Sequence, residues 1–460
     1  MPEIKIGLEV HGYLAPANRT KLFCDDTIEL DAPPNTTICP ICTGQPGSKP
    51  MLPNKDALDI ILLISLLLNC TTNKRLLFQR KHYSWPDMPN NFQRTMSGTY
   101  SVPVGEHGKF LGIGIREVHL EEDPARWDPV TGFVDYNRSG YPLVEIVTEP
   151  DFTSVDQLRE WLKNLITALS YIKAIDRQAG IKADVNVSIG PEFTRVEVKN
   201  INSFRAIVDA AAYEVARQGQ EKDRSQHTRA WDSSTGSTVF MRGKEGAEDY
   251  MFIPEPDLPA IPVTAQWLSQ LRAGLPETPE AKIQRYVKEL KIDPVDAKII
   301  AYDLFVAELF EKTAKLVSPV LAARWTRREL LRVLNDTKIE LEDSPVTPAH
   351  FAELLEHVAR NELTPGVARK LLSELVQKPF DVKAHVEKEG LHAVADESEL
   401  EKLAEQAIAE NPGVVSDYKS GREEAVNFLV GKVMRATNGR AQAGQVKKIL
   451  KQLLSEQAAD

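Results

Sequence analysis

No stretch of this 460-residue chain is apolar for long enough to cross a bilayer. The longest apolar run, DIILLISLLLNC at 59–70, is shorter than the roughly 20 residues a spanning helix needs, and reads as a buried helix. The opening MPEIKIGLEV has no charged-then-apolar leader and runs straight into a strand pattern. A cytoplasmic protein without membrane attachment is expected. Net positive charge is also missing: the formal value is −10. Global charge therefore does not advertise nucleic-acid binding, although a local basic surface could still provide it. Cysteine is scarce, with four in the chain, so a disulfide framework is not expected in a cytosolic protein of this size. The phosphate-binding loops G-x-x-x-x-G-K-[ST] and G-x-G-x-x-G are absent, as are H-E-x-x-H and a Gly/Ser-rich run around a nucleophilic serine. Those absences exclude a P-loop fold and leave little support for a zinc-dependent hydrolase.

What is present is 42% apolar and 27% charged residues, enough for several domains with their own cores. The pattern predicts an α+β protein. Residues 1–262 read as a mostly antiparallel sheet with flanking helices, 263–408 as an all-α domain, and 409–460 as a small helical tail. KADVNVSIG (182–190) and TRVEVKNI (194–201) alternate with period two and predict one hairpin; 227–242 predicts another, turning at Ser234-Thr235-Gly236. Ser154 and Gln157 form a capping box that opens a helix over 154–173, whose apolar stripe runs from Leu158 to Ile172, and a second helix starts near Ser203. The proline-rich 252–267 reads as a linker, and NPGVVSDYKSG (411–421) as a second break, a turn-rich hinge with little to bury. The window 413–454 holds eight Lys/Arg against three Asp/Glu, a basic surplus that suits a polyanion or is simply a solvated helical face.

Chemistry is suggested by acids in strand patterns. In IGLEVHGYL (6–14), Glu9 and His11 share one face and Leu8 and Val10 the other. REVHLEEDPARWDP (116–129) is the densest acidic cluster. Glu145 interrupts the apolar run Leu143-Val144-Ile146-Val147, where a lone acid is expensive to bury without a partner or a cation. Glu9, His11, Glu121 or Glu122, Glu145 and Asp184 all fall on strands or strand ends. Such an oxygen-rich set with one imidazole suits Mg²⁺ or Mn²⁺, ions that bridge protein to nucleotide phosphates. Lys81, Arg138 and Lys199 are candidates to answer those phosphates. Cys39-Pro-Ile-Cys42 has zinc-knuckle spacing. Cys24 is a third candidate thiolate and Asp26 a candidate oxygen ligand; a knuckle that holds no metal is the alternative.

Nine segments in order, among them IGLEVHGYL, PNTTICPICTGQPGSKPMLPN, VHLEEDPAR, DYNRSGYPLVEIVTEPD, EVKNINSFRAI and DYKSGREEAVNFLVGKVMRATNGRA, are similar to the B subunit family of the glutamine-dependent aspartyl/glutamyl-tRNA amidotransferases. The resemblance covers essentially the whole chain. It implies ATP- and Mg²⁺-dependent phosphorylation of the side-chain carboxylate on Glu-tRNA(Gln) or Asp-tRNA(Asn), followed by attack of ammonia. The ammonia would come from an amidase-signature glutaminase subunit, in a heterotrimer completed by a small C subunit. The resemblance further implies a metal site at Glu9, His11, Glu122 and Glu145, with Asp184 as a further acid and Lys81 beside it. Arg138 and Lys199 are expected at the nucleotide, and Lys419, Lys432, Arg435, Arg440, Lys447 and Lys448 on the tRNA body. A non-catalytic tRNA-binding subunit with a decayed kinase site is the alternative; it should have lost some of the four metal-site residues, and all four stand. The chain departs from the family pattern at Cys24-Asp25-Asp26, where zinc-binding members have Cys-x-Cys. It departs again at Arg94-Thr95-Met96, where the family has a hydrophobic residue, Ser and Gln.

Overall fold

The computed structural model describes residues 3–456, apart from 30, 84, 177–178, 222–224, 244–250 and 395–396. The protein is α+β and divides into two compact units, Met1–Pro276 and Glu277–Asp460. Among the described residues, no helix is long and apolar enough to cross a membrane.

The first unit is built on a twelve-stranded sheet. Ten of its strands are labelled here: β1 (Ile4–Tyr13), β2 (Gln79–His82), β3 (Phe92–Thr95), β4 (Ile113–Glu122), β5 (Pro142–Thr148), β6 (Ile181–Ile189), β7 (Val196–Ile201), β8 (His227–Asp232), β9 (Ser237–Gly243) and β10 (Met251–Pro254). They lie in the order β9-β8-β7-β6-β1-β5-β4-β3-β2-β10. Neighbours run antiparallel except β7 and β8, which are parallel. The expected hairpins form as β6–β7 and β8–β9. Alternation sets the two faces: Leu8, Val10, Val118, Leu120, Val144, Ile146, Val185 and Val187 are buried in one core with three helices, α1 (Lys55–Leu67), α2 (Val155–Tyr171) and α3 (Phe204–Gln220). Ser154 caps α2 through Gln157 N, but Gln157 returns its side chain to Thr153 N rather than to Ser154.

The proline-rich stretch is not a linker. Met251–Pro254 pairs with β2, and Ile261–Pro262 pairs with Arg75–Leu76. Proline is tolerated there because an edge strand needs fewer ladder donors. Helix α4 (Ala265–Ala273) follows, and its Trp267, Leu268 and Leu271 pack on the first core. The first unit thus runs past the expected boundary at 262, to Pro276.

Among its described residues the second unit is helical. One core gathers Tyr286, Phe310, Phe351 and Leu372, and a second gathers Leu400, Ile408, Leu429, Val433 and Leu450. The second core therefore begins before residue 409. The turn-rich stretch also departs from expectation. Pro412–Lys419 is a helix opened by proline at its first turn, and Val414, Val415 and Tyr418 pack on the second core.

Candidate active site

β1 lies between β5 and β6, and the register assembles a polar face across them. His11 stands opposite Glu145, Glu145 opposite His119, and Glu9 opposite Asp184. Directly paired residues share a face, so these side chains meet although they are far apart in sequence.

Glu145 is the hub. Its Oε2 lies 2.7 Å from His119 Nδ1, and its Oε1 lies 3.5 Å from His11 Nε2. The other nitrogen of His119 lies 2.9 Å from Glu117 Oε2. Burial works against charge on both rings. The acids outweigh it: Glu145 carries His11 up to about 9, and Glu117 with Glu145 carries His119 up to about 10. Burial would raise Glu145, but the two imidazoles hold it well below the ordinary carboxylate range. Glu121 takes hydrogen bonds from Thr95 Oγ1 and, at 3.3 Å, from Gln93 Nε2. Burial and the charge of Glu145 push its carboxyl up, against the opposing pull of Lys81.

Ligand atoms of His11, Glu121 and Glu145 lie within 4.8 Å of one another. The same holds for Glu9, Asp184 and Glu197. Lys199 Nζ sits in the second trio, 2.7 Å from Asp184 and 3.0 Å from Glu197, and Asn186 donates to Glu9 at 3.2 Å. Burial, then the charges of Glu145, Asp184 and Glu197, raise Glu9. The first trio fits a hard divalent cation: two carboxylate oxygens and one imidazole.

This arrangement differs from the expected convergence of Glu9, His11, Glu122 and Glu145 on one point. Successive residues of a strand face opposite ways, so when Glu121 joins the trio Glu122 cannot. Glu122 instead meets Arg94 Nη1 at 3.1 Å, and Arg94 Nε reaches Glu255 at 3.0 Å. Glu9 and Asp184 form the neighbouring group. The expected phosphate cations are engaged elsewhere. Arg138 Nε lies 2.6 Å from Asp123, beside Tyr13 and Lys182, while Lys199 is held by its two acids. Lys81 lies near Glu121, with its ammonium 5.9 Å from the Tyr83 ring centroid. Glu117 and His119 were not singled out from sequence as a site, although REVHLEE places both on the face of Glu121.

Cys24, Asp26, Cys39 and Cys42 form a third group whose ligand atoms lie within 4.8 Å of one another. Asp26 Oδ2 is 3.3 Å from Cys24 Sγ and 3.1 Å from Cys42 Sγ. The buried Lys21 points its ammonium at Cys42 Sγ, 3.3 Å away, and at the carbonyl of Thr37, 2.9 Å away. The hydrogen bond from Cys24, helped by Lys21 against burial, lowers Cys42 to about 6. Three sulfurs and one oxygen at this spacing fit a tetrahedral zinc ion.

On the basic tail, Lys419, Arg435, Lys447 and Lys448 are exposed and Lys432 is half-buried. Arg440 does a different job. It donates to the carbonyls of Thr437 and Gly390 and fastens the second helical core to the chain before it.

Residues 4–269 match the family described as the GatB/GatE catalytic domain, and residues 308–454 match the one described as the GatB domain. Relatives named as the B subunit of aspartyl/glutamyl-tRNA(Asn/Gln) amidotransferase are similar along their full lengths. That of Methanocaldococcus jannaschii is 42% identical, covering 99% of this chain and 98% of its own. That of Methanothermobacter thermautotrophicus is 43% identical, covering 98% and 100%. That of Methanococcus maripaludis is 42% identical, covering 97% and 98%. The chain, with its acidic sheet face and its helical second unit, belongs to the B subunit family of the aspartyl/glutamyl-tRNA amidotransferases.

Proposed function

We propose that this ligase subunit activates the side-chain carboxylate of a misacylated tRNA, Glu-tRNA(Gln), Asp-tRNA(Asn) or both, with ATP. A carboxylate oxygen bonds to the γ-phosphorus as the bond to the bridging oxygen breaks and ADP leaves. Ammonia then bonds to the acyl carbon, the bond to the phosphate oxygen breaks, one ammonia proton leaves with the phosphate, and the amide remains. The ammonia comes from an amidase-signature glutaminase subunit, in a cytoplasmic heterotrimer with a small third subunit.

The observation that carries the reading is the hold on Glu145 by two imidazoles beside Glu121. His11, Glu121 and Glu145 would hold Mg²⁺, which supplies positive charge where the attacking carboxylate and the γ-phosphate repel each other. No strong general base is needed, because the substrate carboxylate is already ionised at pH 7. His119 fixes the orientation of Glu145, and Lys81 balances Glu121. Cys24, Asp26, Cys39 and Cys42 would hold Zn²⁺ in a structural role. Lys419, Lys432, Arg435, Lys447 and Lys448 offer the tRNA body a phosphate-binding surface.

The test uses the complex assembled with its partner subunits, Glu-tRNA(Gln) or Asp-tRNA(Asn), and ATP labelled at the γ position. Glu145→Gln should lower tRNA-dependent phosphoryl transfer by about 10²–10³, the scale for losing a preorganised electrostatic group. Glutamine hydrolysis measured without tRNA should be unchanged. Phosphoryl transfer at the normal rate in that variant would overturn the reading.

A further inference from the structure

The second unit holds a cavity of about 400 Å³ that the acidic face does not explain. Arg324, Arg327 and Arg328 line it, together with Asp293, Asp296 and Val320. The arginines come from one continuous helical run, where helix Pro319–Trp325 passes into a π turn over Thr326–Leu330. A π turn spends one extra residue per turn, and such insertions are frequent at functional sites. Arg324, Arg327 and Arg328, three and four residues apart on this run, all line the cavity.

The acids on the rim are spoken for. Asp296 Oδ1 lies 2.7 Å from Arg327 Nη1. Asp293 caps the helix Pro294–Ala301, accepting from Val295 N at 2.8 Å and Asp296 N at 3.4 Å. Arg324 and Arg328 are exposed, and among the described residues neither makes an ion pair. Two like charges four residues apart on a helical run repel each other unless an anion lies between them. A guanidinium pair on the wall of a concave site, with donors in a planar fork, matches the tetrahedral oxygens of phosphate.

We propose that this cavity is a phosphate site, occupied by a backbone phosphate of the bound tRNA, with Arg324 and Arg328 as the ligating pair and Arg327 oriented by Asp296. It rests on the reading that the chain binds tRNA, and it adds a contact separate from the basic tail. A phosphate contact carries no sequence information; it positions the RNA. The site should therefore set affinity and register without choosing the base sequence.

Equilibrium binding of unacylated tRNA to the full-length chain, across a salt series, tests it. Compared with wild type, the double variant Arg324→Gln/Arg328→Gln should bind about three- to tenfold more weakly at moderate salt, and its log–log salt slope should be shallower by about one unit per arginine. Arg360→Gln/Lys378→Gln removes the same charge from exposed positions in the same unit and should change neither quantity by as much. A second arm measures competition by inorganic phosphate and by ATP. Competition by either that leaves tRNA affinity untouched in the double variant would assign the cavity to a free phosphate compound and overturn the RNA source. Loss of subunit assembly with normal tRNA binding would assign it to an acidic protein partner and overturn the proposal equally. If wild type binds tRNA and the double variant matches it in affinity and slope, the site is refuted while the catalytic reading stands. If wild type binds no tRNA even at low salt, both fall.

Discussion

His119 Nδ1 lies 2.7 Å from Glu145 Oε2, across the β4–β5 register and on the sheet face that also carries His11. The ring is almost fully buried, and its second nitrogen is taken by Glu117. Every donor of His119 is thus occupied by protein, so it positions Glu145. His119→Ala removes the closer of two cationic partners from a buried carboxylate. We expect a loss of about 3 kcal/mol of stability, read from urea unfolding, as for breaking a buried pair. Phosphoryl transfer should fall through kcat more than through KM for tRNA, because the acid is misplaced while the RNA contacts remain. An unchanged kcat would show that Glu145 needs no second imidazole.

The same pair predicts a pH profile. His11 and His119 are raised above their ordinary value of 6.5, to about 9 and about 10. Protonation in the folded state then contributes stability that is fully present below 6.5 and lost as pH rises through 9–10. Glu145 is lowered, so its contribution is present above its ordinary value of 4.5 and lost as pH falls through the lower folded value. In chelator, unfolding midpoints should be highest between these limits and decline from pH 6.5 to 10. Cation binding reverses the sense, because a ligating imidazole must be neutral. If His11 is a ligand, Mg²⁺ affinity should rise by up to about tenfold per pH unit below 9. A flat affinity from pH 7 to 9 would leave His11 as a hydrogen-bond donor to Glu145 and nothing more.

Adjacent acids should separate cleanly. Glu121→Gln removes a candidate ligand and should abolish Mg²⁺-dependent protection against unfolding. Glu122→Gln takes one partner from Arg94, which keeps Glu255, and should cost about 1–3 kcal/mol of stability with Mg²⁺ protection retained. Isothermal titration and urea unfolding on both variants decide it. Equal loss of cation binding would show that Glu122 turns to the trio when an ion is present.

Much of this site was legible because strands alternate. Glu9 with His11, and Glu145 inside an apolar run, stood out from period two alone. Alternation also separates Glu121 from Glu122, but it does not say which faces the site, and position within a family motif pointed to Glu122. The pairing of His119 with Glu145 depends on register between strands, which no local pattern carries. The prolines of 252–262 read as linker because a central strand would reject them; an edge strand does not. Pro412 and Gly413 read as turn formers, whereas the proline occupies the first turn of a helix and Val414 and Val415 pack behind it.

The second helical core predicts where the chain can be cut. A chain ending at residue 408 would keep most of the helix Glu397–Glu410 but strip its cover from Leu400, Ala404, Ala407 and Ile408. Each large aliphatic left bare forfeits about 1.5–3 kcal/mol of burial. A chain ending at His392 removes the core whole. Both should bind tRNA more weakly, having lost the basic surface. Only the longer one should bind ANS and precipitate. Equal behaviour would show that Glu397–Glu410 is held by the first helical core instead.

The knuckle gives the last prediction. Three thiols and one carboxylate surround a space that tetrahedral zinc fits, and Lys21 aims a buried ammonium at Cys42. Lys21 favours the thiolate, the form that binds metal. Gly44, at φ +65°, lets the loop lie against the Pro89 carbonyl, and no Cβ fits there. Protein purified without chelator should carry about one zinc per chain, the content of a single four-ligand site. An oxygen donor holds zinc less tightly than a thiolate, so EDTA should remove it faster than from Asp26→Cys, and Asp26→Ala should lose it on dialysis. Lys21→Met should weaken retention although it removes no ligand, which separates help from the ammonium from coordination itself. Chain purified free of zinc, with all three thiols alkylated at the rate of free cysteine, would show that the knuckle holds no metal and leaves its thiols open.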